Sequence, residues 1–237
     1  MRVEMPDPLR ADGNTRCVIF DFDETIIDLE PQHTHAHDAL CRAMRSDYAQ
    51  MPESFRKSSG LRIIDDIREM RAHFGWSVPE DELLAMRQRF FDDACASSEL
   101  TPMPGVVQLV RVLQERGLTL AITSSAVRSS IETILIRLGL RDAFALIVDG
   151  SEVTNGKPDP EAYLVTARRL GVRPDECVVI EDSEVGVLAA KRAGMTCIAV
   201  RNPRAQTFQD LSAADRVVDS MEELIAPARR SAPPPCG

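Results

Sequence analysis

The chain has 237 residues, enough for one large domain or two smaller ones with a proper apolar core. Hydrophobic residues make up 44% and charged residues 27%, the balance of an ordinary soluble globular protein. The net charge of −9 argues against general binding to nucleic acid or anionic membranes, which needs a basic surface. A small anionic substrate remains open, because local cations and a bound divalent ion can reverse the sign inside a pocket.

The six cysteines are scattered without a CxxC pair, and Cys17, Cys177 and Cys197 fall in apolar runs. A reduced cytoplasmic setting fits them better than a disulfide framework. The opening MRVEMPDPLRADGNTR has acids and prolines where a signal peptide would be apolar, and no apolar run is long enough to span a bilayer. A cytoplasmic monomer or weak homodimer is expected, without membrane or nucleic-acid partners. Residues 1–15 read as a flexible leader and residues 230–237 as a flexible tail.

The first element is a short apolar strand, Cys17 to Phe20, running into Asp21-Phe22-Asp23-Glu24-Thr25. If the extended geometry persists, Asp21 and Asp23 point the same way. Such a pair is tolerable with a cation between the carboxyls, or with one of them protonated. From about Pro31 to Leu100 the pattern is helical. Leu61, Ile64, Ile67, Arg68 and Met70 recur at helical spacing, as do Leu83, Leu84, Arg87, Phe90, Phe91 and Ala94 after a Pro79-Glu80-Asp81 start.

Beyond Thr101-Pro102-Met103-Pro104-Gly105 the chain alternates. Helices at Val106 to Arg116, about Ala126 to Leu138, Pro160 to Leu170 and up to Ala193 each stop at a glycine. Strands follow at Leu118 to Thr123, Phe144 to Val148, Cys177 to Ile180 and Met195 to Val200, with a last short one at Val217-Val218. Ser220-Met221-Glu222-Glu223 is a capping-box start. Gly-stopped helices followed by β-branched runs are βαβ units. The reading is α/β: a Rossmann-like parallel sheet with helices on both faces, built from residues 16–28 and 101–229. An all-helical cap, residues 29–100, is inserted after the first strand, hinged at Ile26 to Leu29 and Leu100 to Gly105.

Ligands of such sheets bind beyond the carboxyl ends of the strands, where strand one delivers Asp21 and Asp23. The second strand ends Thr123-Ser124-Ser125, offering hydroxyls and helix-start amides for an anion, with an ordinary N-cap as the alternative. Lys157 lies between a glycine and a proline in Asn155-Gly156-Lys157-Pro158-Asp159-Pro160. The fourth strand ends Glu181-Asp182-Ser183. Four carboxylates, Asp21, Asp23, Glu181 and Asp182, would converge with a lysine, and hard oxygen ligands beside a phosphate suggest Mg²⁺.

DFDET at 21–25, Thr123 after an apolar strand, GKPDP at 156–160 and IEDS at 180–183 together resemble the four motifs of the haloacid-dehalogenase-like phosphotransferase superfamily. The helical insert resembles that family's first type of cap. The GKPDP and IEDS segments are most similar to the branch of β-phosphoglucomutase and phosphoglycolate-type phosphatases. The resemblance implies that Asp21 attacks phosphorus and forms an aspartyl-phosphate, while Asp23 acts as acid and then base. It implies that Thr123, Ser124 and Lys157 hold the phosphoryl oxygens. Asp21, Asp182, the backbone carbonyl of Asp23 and Glu181, directly or through water, would hold Mg²⁺. Glu24 stands where the branch usually has glycine. The expected function is hydrolysis of a small phosphorylated metabolite, a sugar or polyol phosphate; the alternatives are a phosphomutase and a non-catalytic phospho-ligand-binding regulator.

Other signals carry less. Gly150 to Lys157 has the wrong spacing for a P-loop, and Pro158 replaces its Ser or Thr. His33 and His37 stand one helical turn apart without a matching carboxylate set for zinc. His33 stands where that branch often has a cap-entrance histidine, a candidate for substrate contact or proton transfer. Lys57-Ser58-Ser59-Gly60-Leu61-Arg62 resembles the loop with which such caps touch the part of the substrate that is not phosphate, with Lys57 and Arg62 as the candidates. The Leu83–Phe91 stripe reads as cap core.

Overall fold

Alternation within a short β-branched strand sets up the whole architecture. In the computed structural model, β1 (Cys17–Phe20) sends Val18 and Phe20 to one face and Cys17 and Ile19 to the other, and all four are fully buried. The structure describes Leu9, residues 13–56, Gly60, and residues 62–202 and 209–225. Among the described residues five further strands extend the same parallel sheet: β2 (Thr119–Thr123) and β4 (Cys177–Glu181) flank β1, β3 (Leu146–Val148) pairs with β2, and β5 (Thr196–Val200) and β6 (Arg216–Val218) continue beyond β4. Their order is β3-β2-β1-β4-β5-β6, so the chain reverses its direction of travel between β1 and β4. Such a switch point opens a crevice at the carboxyl ends of the strands.

Helices cover both faces, as parallel strands require. On one side α5 (Val106–Glu115) and α6 (Arg128–Arg137) bury Leu109, Leu113, Ile131 and Leu135 against Val18, Phe20, Leu120 and Ile180. On the other, α7 (Glu161–Leu170) and α8 (Glu184–Arg192) bury Tyr163, Ala167, Val187 and Ala190 against Ile19, Val179 and Cys197. A last short helix, α9 (Glu222–Ile225), follows β6.

Between β1 and α5 the described residues form four α-helices: α1 (Glu30–Ala43), α2 (Glu53–Arg56), α3 (Ile63–Phe74) and α4 (Glu80–Ser97). They close over a separate apolar cluster that includes Leu40, Phe55, Ile67, Met70, Trp76 and Leu83. The buried face of α3 is Ile63, Ile67 and Met70, so Ile63 takes the place expected of Ile64, Arg68 lies exposed, and Leu61 lies outside the described residues. Leu9, inside the segment read as a leader, is fully buried in the core, and its carbonyl accepts from Arg116 at 2.9 Å. The tail 230–237 lies outside the described residues. No helix among the described residues is long and apolar enough to cross a membrane.

Candidate active site

Strand register assembles the site. Phe20 is paired with Ile122 on one side and Ile180 on the other, so the next residues of the three strands, Asp21, Thr123 and Glu181, arrive side by side at the crevice. Asp21, Glu181 and Asp182 are buried, and each places a carboxylate oxygen within 4.8 Å of the others. Asp21, Asp23 and Asp182 line one cavity together with Ser125 and Ser183. Three of the four expected carboxylates thus cluster, while Asp23 lies on the cavity outside that cluster.

Lys157 is the cation of this cluster. Its Nζ donates to Asp21 Oδ1 and to Glu181 Oε1, both at 2.5 Å, and the residue is 5% exposed. Burial alone would lower the ammonium's pKa, but Asp21 and Glu181 outweigh it and hold the group protonated. Glu181 is placed differently from its neighbours. Besides Lys157, its Oε1 accepts from Tyr163 Oη at 2.8 Å; its Oε2 accepts from the backbone N–H of Asp182 and Ser183 and from Ser183 Oγ, each at 3.0 Å. Burial pushes this carboxyl up, yet Lys157 and these hydrogen bonds hold it below the usual range. Glu181 is thus a fixed anion beneath the cavity, anchoring the lysine.

Asp21 and Asp182 are in the opposite position. Burial, reinforced by Glu181 and Asp23, raises Asp21 well above the carboxylate range despite Lys157. Burial, Glu181, Glu24 and Asp21 raise Asp182, which accepts one hydrogen bond from Thr25 Oγ1 at 2.8 Å. This is surplus negative charge in a dry place, presented by hard oxygen atoms. The donor set fits Mg²⁺, which binds through a few carboxylates and relieves such repulsion.

Gly186, at the start of α8, lets this packing exist. A Cβ there would stand 1.7 Å from Glu181 Oε1 and 2.0 Å from Cδ. We expect Gly186→Ala to evict the Glu181 carboxylate from its bonds and to cost about 4 kcal/mol in urea denaturation. An unchanged midpoint would mean that the carboxylate has somewhere else to go.

The other expected residues are not all placed as anticipated. Thr123 is fully buried and its hydroxyl meets Thr166 Oγ1 at 2.6 Å. Thr166 Oγ1 donates to Ala162 O, so the Thr123 proton is spent on Thr166. Ser124 Oγ accepts from the Ala126 N–H at 3.0 Å, the turn geometry that competes with an anion role, and it retains its own proton to donate. Arg62 is used on Asp65, at 2.8 Å, and on the carbonyl of Thr154, at 2.7 Å, tying the insert to the loop before Lys157. Lys57 lies outside the described residues. Glu24 lines the cavity and has φ +59°, the left-handed backbone that favours glycine and costs other residues about 1–2 kcal/mol.

Histidines complete the insert's side of the cavity. His33 Nε2 lies 3.4 Å from Asp23 Oδ1, while His37 Nε2 faces Asp66, so the two rings turn to different carboxylates and form no zinc pair. One residue of the stripe read as cap core is a buried cation. Arg87 is 1% exposed in the middle of the apolar face of α4, bonded to His33 Nδ1 with its guanidinium 5.0 Å from the Phe91 ring centre. Burial lowers it to about 10 against the pull of Asp66 and Asp23. A charged residue at a core position of an amphipathic helix was the signal available in the sequence. Thr25 and Tyr163 carried none, since their partners come from other elements.

The fold and this rim of acids around one buried lysine define a class: a doubly wound α/β protein whose hydrolytic site lies at the switch point of its sheet. The haloacid dehalogenase-like hydrolase family model matches residues 15–194, and the chain belongs to that family. It is 32% identical over 210 residues to hexitol phosphatase B of Escherichia coli (strain K12), spanning 88% of this chain and 93% of that one. The crystal structure of CbbY from Rhodobacter sphaeroides in complex with phosphate superposes with a TM-score of 0.76 at 25% identity, covering 89% of this chain and 96% of the other. A β-phosphoglucomutase from Clostridium difficile shares the fold, with a TM-score of 0.76 at 24% identity over 89% of this chain and 93% of its own.

Proposed function

We propose that this chain is a Mg²⁺-dependent phosphatase of a small sugar or polyol phosphate, working through an aspartyl-phosphate. The observation that carries this reading is the Asp21–Lys157 pair held at the strand ends beside Asp182. Kinship to a hexitol phosphatase supports the substrate class.

A carboxylate oxygen of Asp21 attacks phosphorus, and the bond from phosphorus to the ester oxygen breaks. Asp23 gives its proton to the departing alkoxide oxygen. In the second half, Asp23 takes a proton from the water that attacks the phosphoryl group, which restores Asp21 and releases inorganic phosphate. Lys157 orients Asp21 and neutralises phosphoryl oxygens. Of the two hydroxyls, Ser124 is the one with a proton left to donate, because the Thr123 proton is committed to Thr166. Asp21, Asp182, the Asp23 carbonyl and, through water, Glu181 would hold Mg²⁺. The ion supplies charge neutralisation and polarisation of the phosphoryl oxygens. Residues 29–100 act as a cap over the core 16–28 and 101–229, and the cavity between His33 and Asp182 is the space they enclose.

A panel of phosphoesters with Mg²⁺ tests the proposal. Free phosphate is the expected product, with at least a ~10³-fold loss on chelation by EDTA. Isomerised hexose phosphate in its place would assign a mutase, and tight binding without turnover a regulator. Mg²⁺ is also expected to raise the melting temperature more at pH 8 than at pH 5. Asp21 and Asp182 keep their protons to higher pH than the unfolded chain does, so at low pH there is less repulsion for the ion to relieve.

A further inference from the structure

The insert's wall of the cavity contains two groups that the chemistry above leaves unused. His37 on α1 and Asp66 on α3 both line the cavity; His37 is buried at 7% exposure, and Asp66 is half-buried with its side chain 13% exposed. His37 Nε2 and Asp66 Oδ2 stand 3.9 Å apart, too far for a hydrogen bond to each other. His37 Nε2 has no hydrogen-bond partner among the described residues. The rings of Tyr48 and Phe55 pack against the imidazole, with centres 5.7 and 6.1 Å away.

The charges around the pair define what fits between them. Burial, Arg87 on α4 and His33 on α1 hold His37 well below the usual imidazole range, so the ring is neutral. Burial pushes the Asp66 carboxyl up to about 7, with Glu69 and Asp65 on its own helix adding and Arg87 opposing. Two hydrogen bonds of about 2.8 Å meeting at one oxygen atom span roughly 4.0 Å at a right angle and roughly 4.6 Å at the tetrahedral angle. The observed gap matches the lower value. One small group that both gives and takes a hydrogen bond through a single atom is what the gap admits.

We infer that His37 and Asp66 together bind one hydroxyl of the substrate's carbon chain: the imidazole N–H donates to its oxygen, and its proton goes to the carboxylate. The inference rests on the phosphatase reading and narrows its substrate. A tail ending in a carboxylate or a second phosphate would bring its charge against Asp66 and Glu30, two acids that line the same cavity against the exposed Arg56. A tail without hydroxyls would leave both groups unsatisfied, which sites built to bond a hydroxyl reject strongly. The substrate is therefore a phosphomonoester with an uncharged, polyhydroxylated chain.

The test compares the Mg²⁺-loaded wild type with Asp66→Asn and His37→Leu on sorbitol 6-phosphate, 2-phosphoglycolate and p-nitrophenyl phosphate. The ratio of kcat/KM for sorbitol 6-phosphate to that for p-nitrophenyl phosphate is expected to fall at least ~10-fold in each variant, through KM. The double variant should fall little further than the worse single one, because one hydroxyl is shared. Asp66→Asn should gain on 2-phosphoglycolate relative to p-nitrophenyl phosphate. It should also melt at least ~3 °C higher than wild type at pH 8 without substrate, since it removes a charge that burial disfavours. Ratios unchanged within about twofold, or a lowered melting temperature in Asp66→Asn, would mean that the pair holds water or the fold, and would overturn the inference. Turnover of p-nitrophenyl phosphate with unchanged ratios sinks only the hydroxyl assignment. Absence of turnover on every ester by the wild type sinks the phosphatase reading and this inference with it.

Discussion

Lys157→Met is expected to cost about 3–5 kcal/mol of folding stability and at least ~10²–10³-fold in phosphate release. The side chain bridges Asp21 and Glu181 at 2.5 Å with almost no solvent contact, so removing the ammonium leaves the Glu181 carboxylate buried without its cation and Asp21 without its donor. Coulomb attraction wins over desolvation in the native arrangement, as the raised lysine shows. Methionine preserves the bulk and the apolar stem, so the loss reports the charge and not a cavity. Urea denaturation with EDTA present should show the full deficit, and added Mg²⁺ should narrow it by supplying positive charge nearby. A methionine variant as stable as wild type would mean that the acids neutralise themselves by taking up protons, and Lys157 would lose its place as the organising cation.

Asp21→Asn is expected to lower phosphate release by at least ~10⁴-fold while leaving the protein folded. Asparagine keeps the size and an oxygen that accepts from Lys157 Nζ, but its amide cannot attack phosphorus. Stability should hold, because the aspartate it replaces is a carboxyl that burial and Glu181 already push towards its neutral form. The variant should therefore still bind the ester. Single-turnover phosphate release with a folded-state check separates the two effects, and substantial turnover would remove Asp21 as the nucleophile.

The α/β core was legible because its signals are local. Each Gly-stopped helix and each β-branched run carries its own propensity, and β1 was read with its observed ends. Strand ends were legible too: Asp21, Lys157, Glu181 and Asp182 meet as expected. What escaped depends on side-chain partners from remote elements. Nothing in the local sequence says that Thr123 gives its proton to Thr166, or that Tyr163 and Ser183 fix Glu181. The insert was least legible. Arg87 sits at a core position of α4, and His37 and Asp66 meet only when α1 and α3 are packed. Tertiary pairing decides such contacts, and periodicity is silent about it.

The position of β1 at the centre of the sheet has a consequence for how the chain is made. Its apolar residues leave the ribosome before those of the other strands; the partners at 119–122 follow only after the insert, and those at 177–180 two βαβ units later. Contacts so distant in sequence close slowly, so during synthesis the helical insert can fold on its own cluster while Cys17 to Phe20 wait unpaired. A chain halted before residue 177 would carry a folded helical insert beside an open half-sheet, with an exposed aggregation-prone edge where β4 belongs.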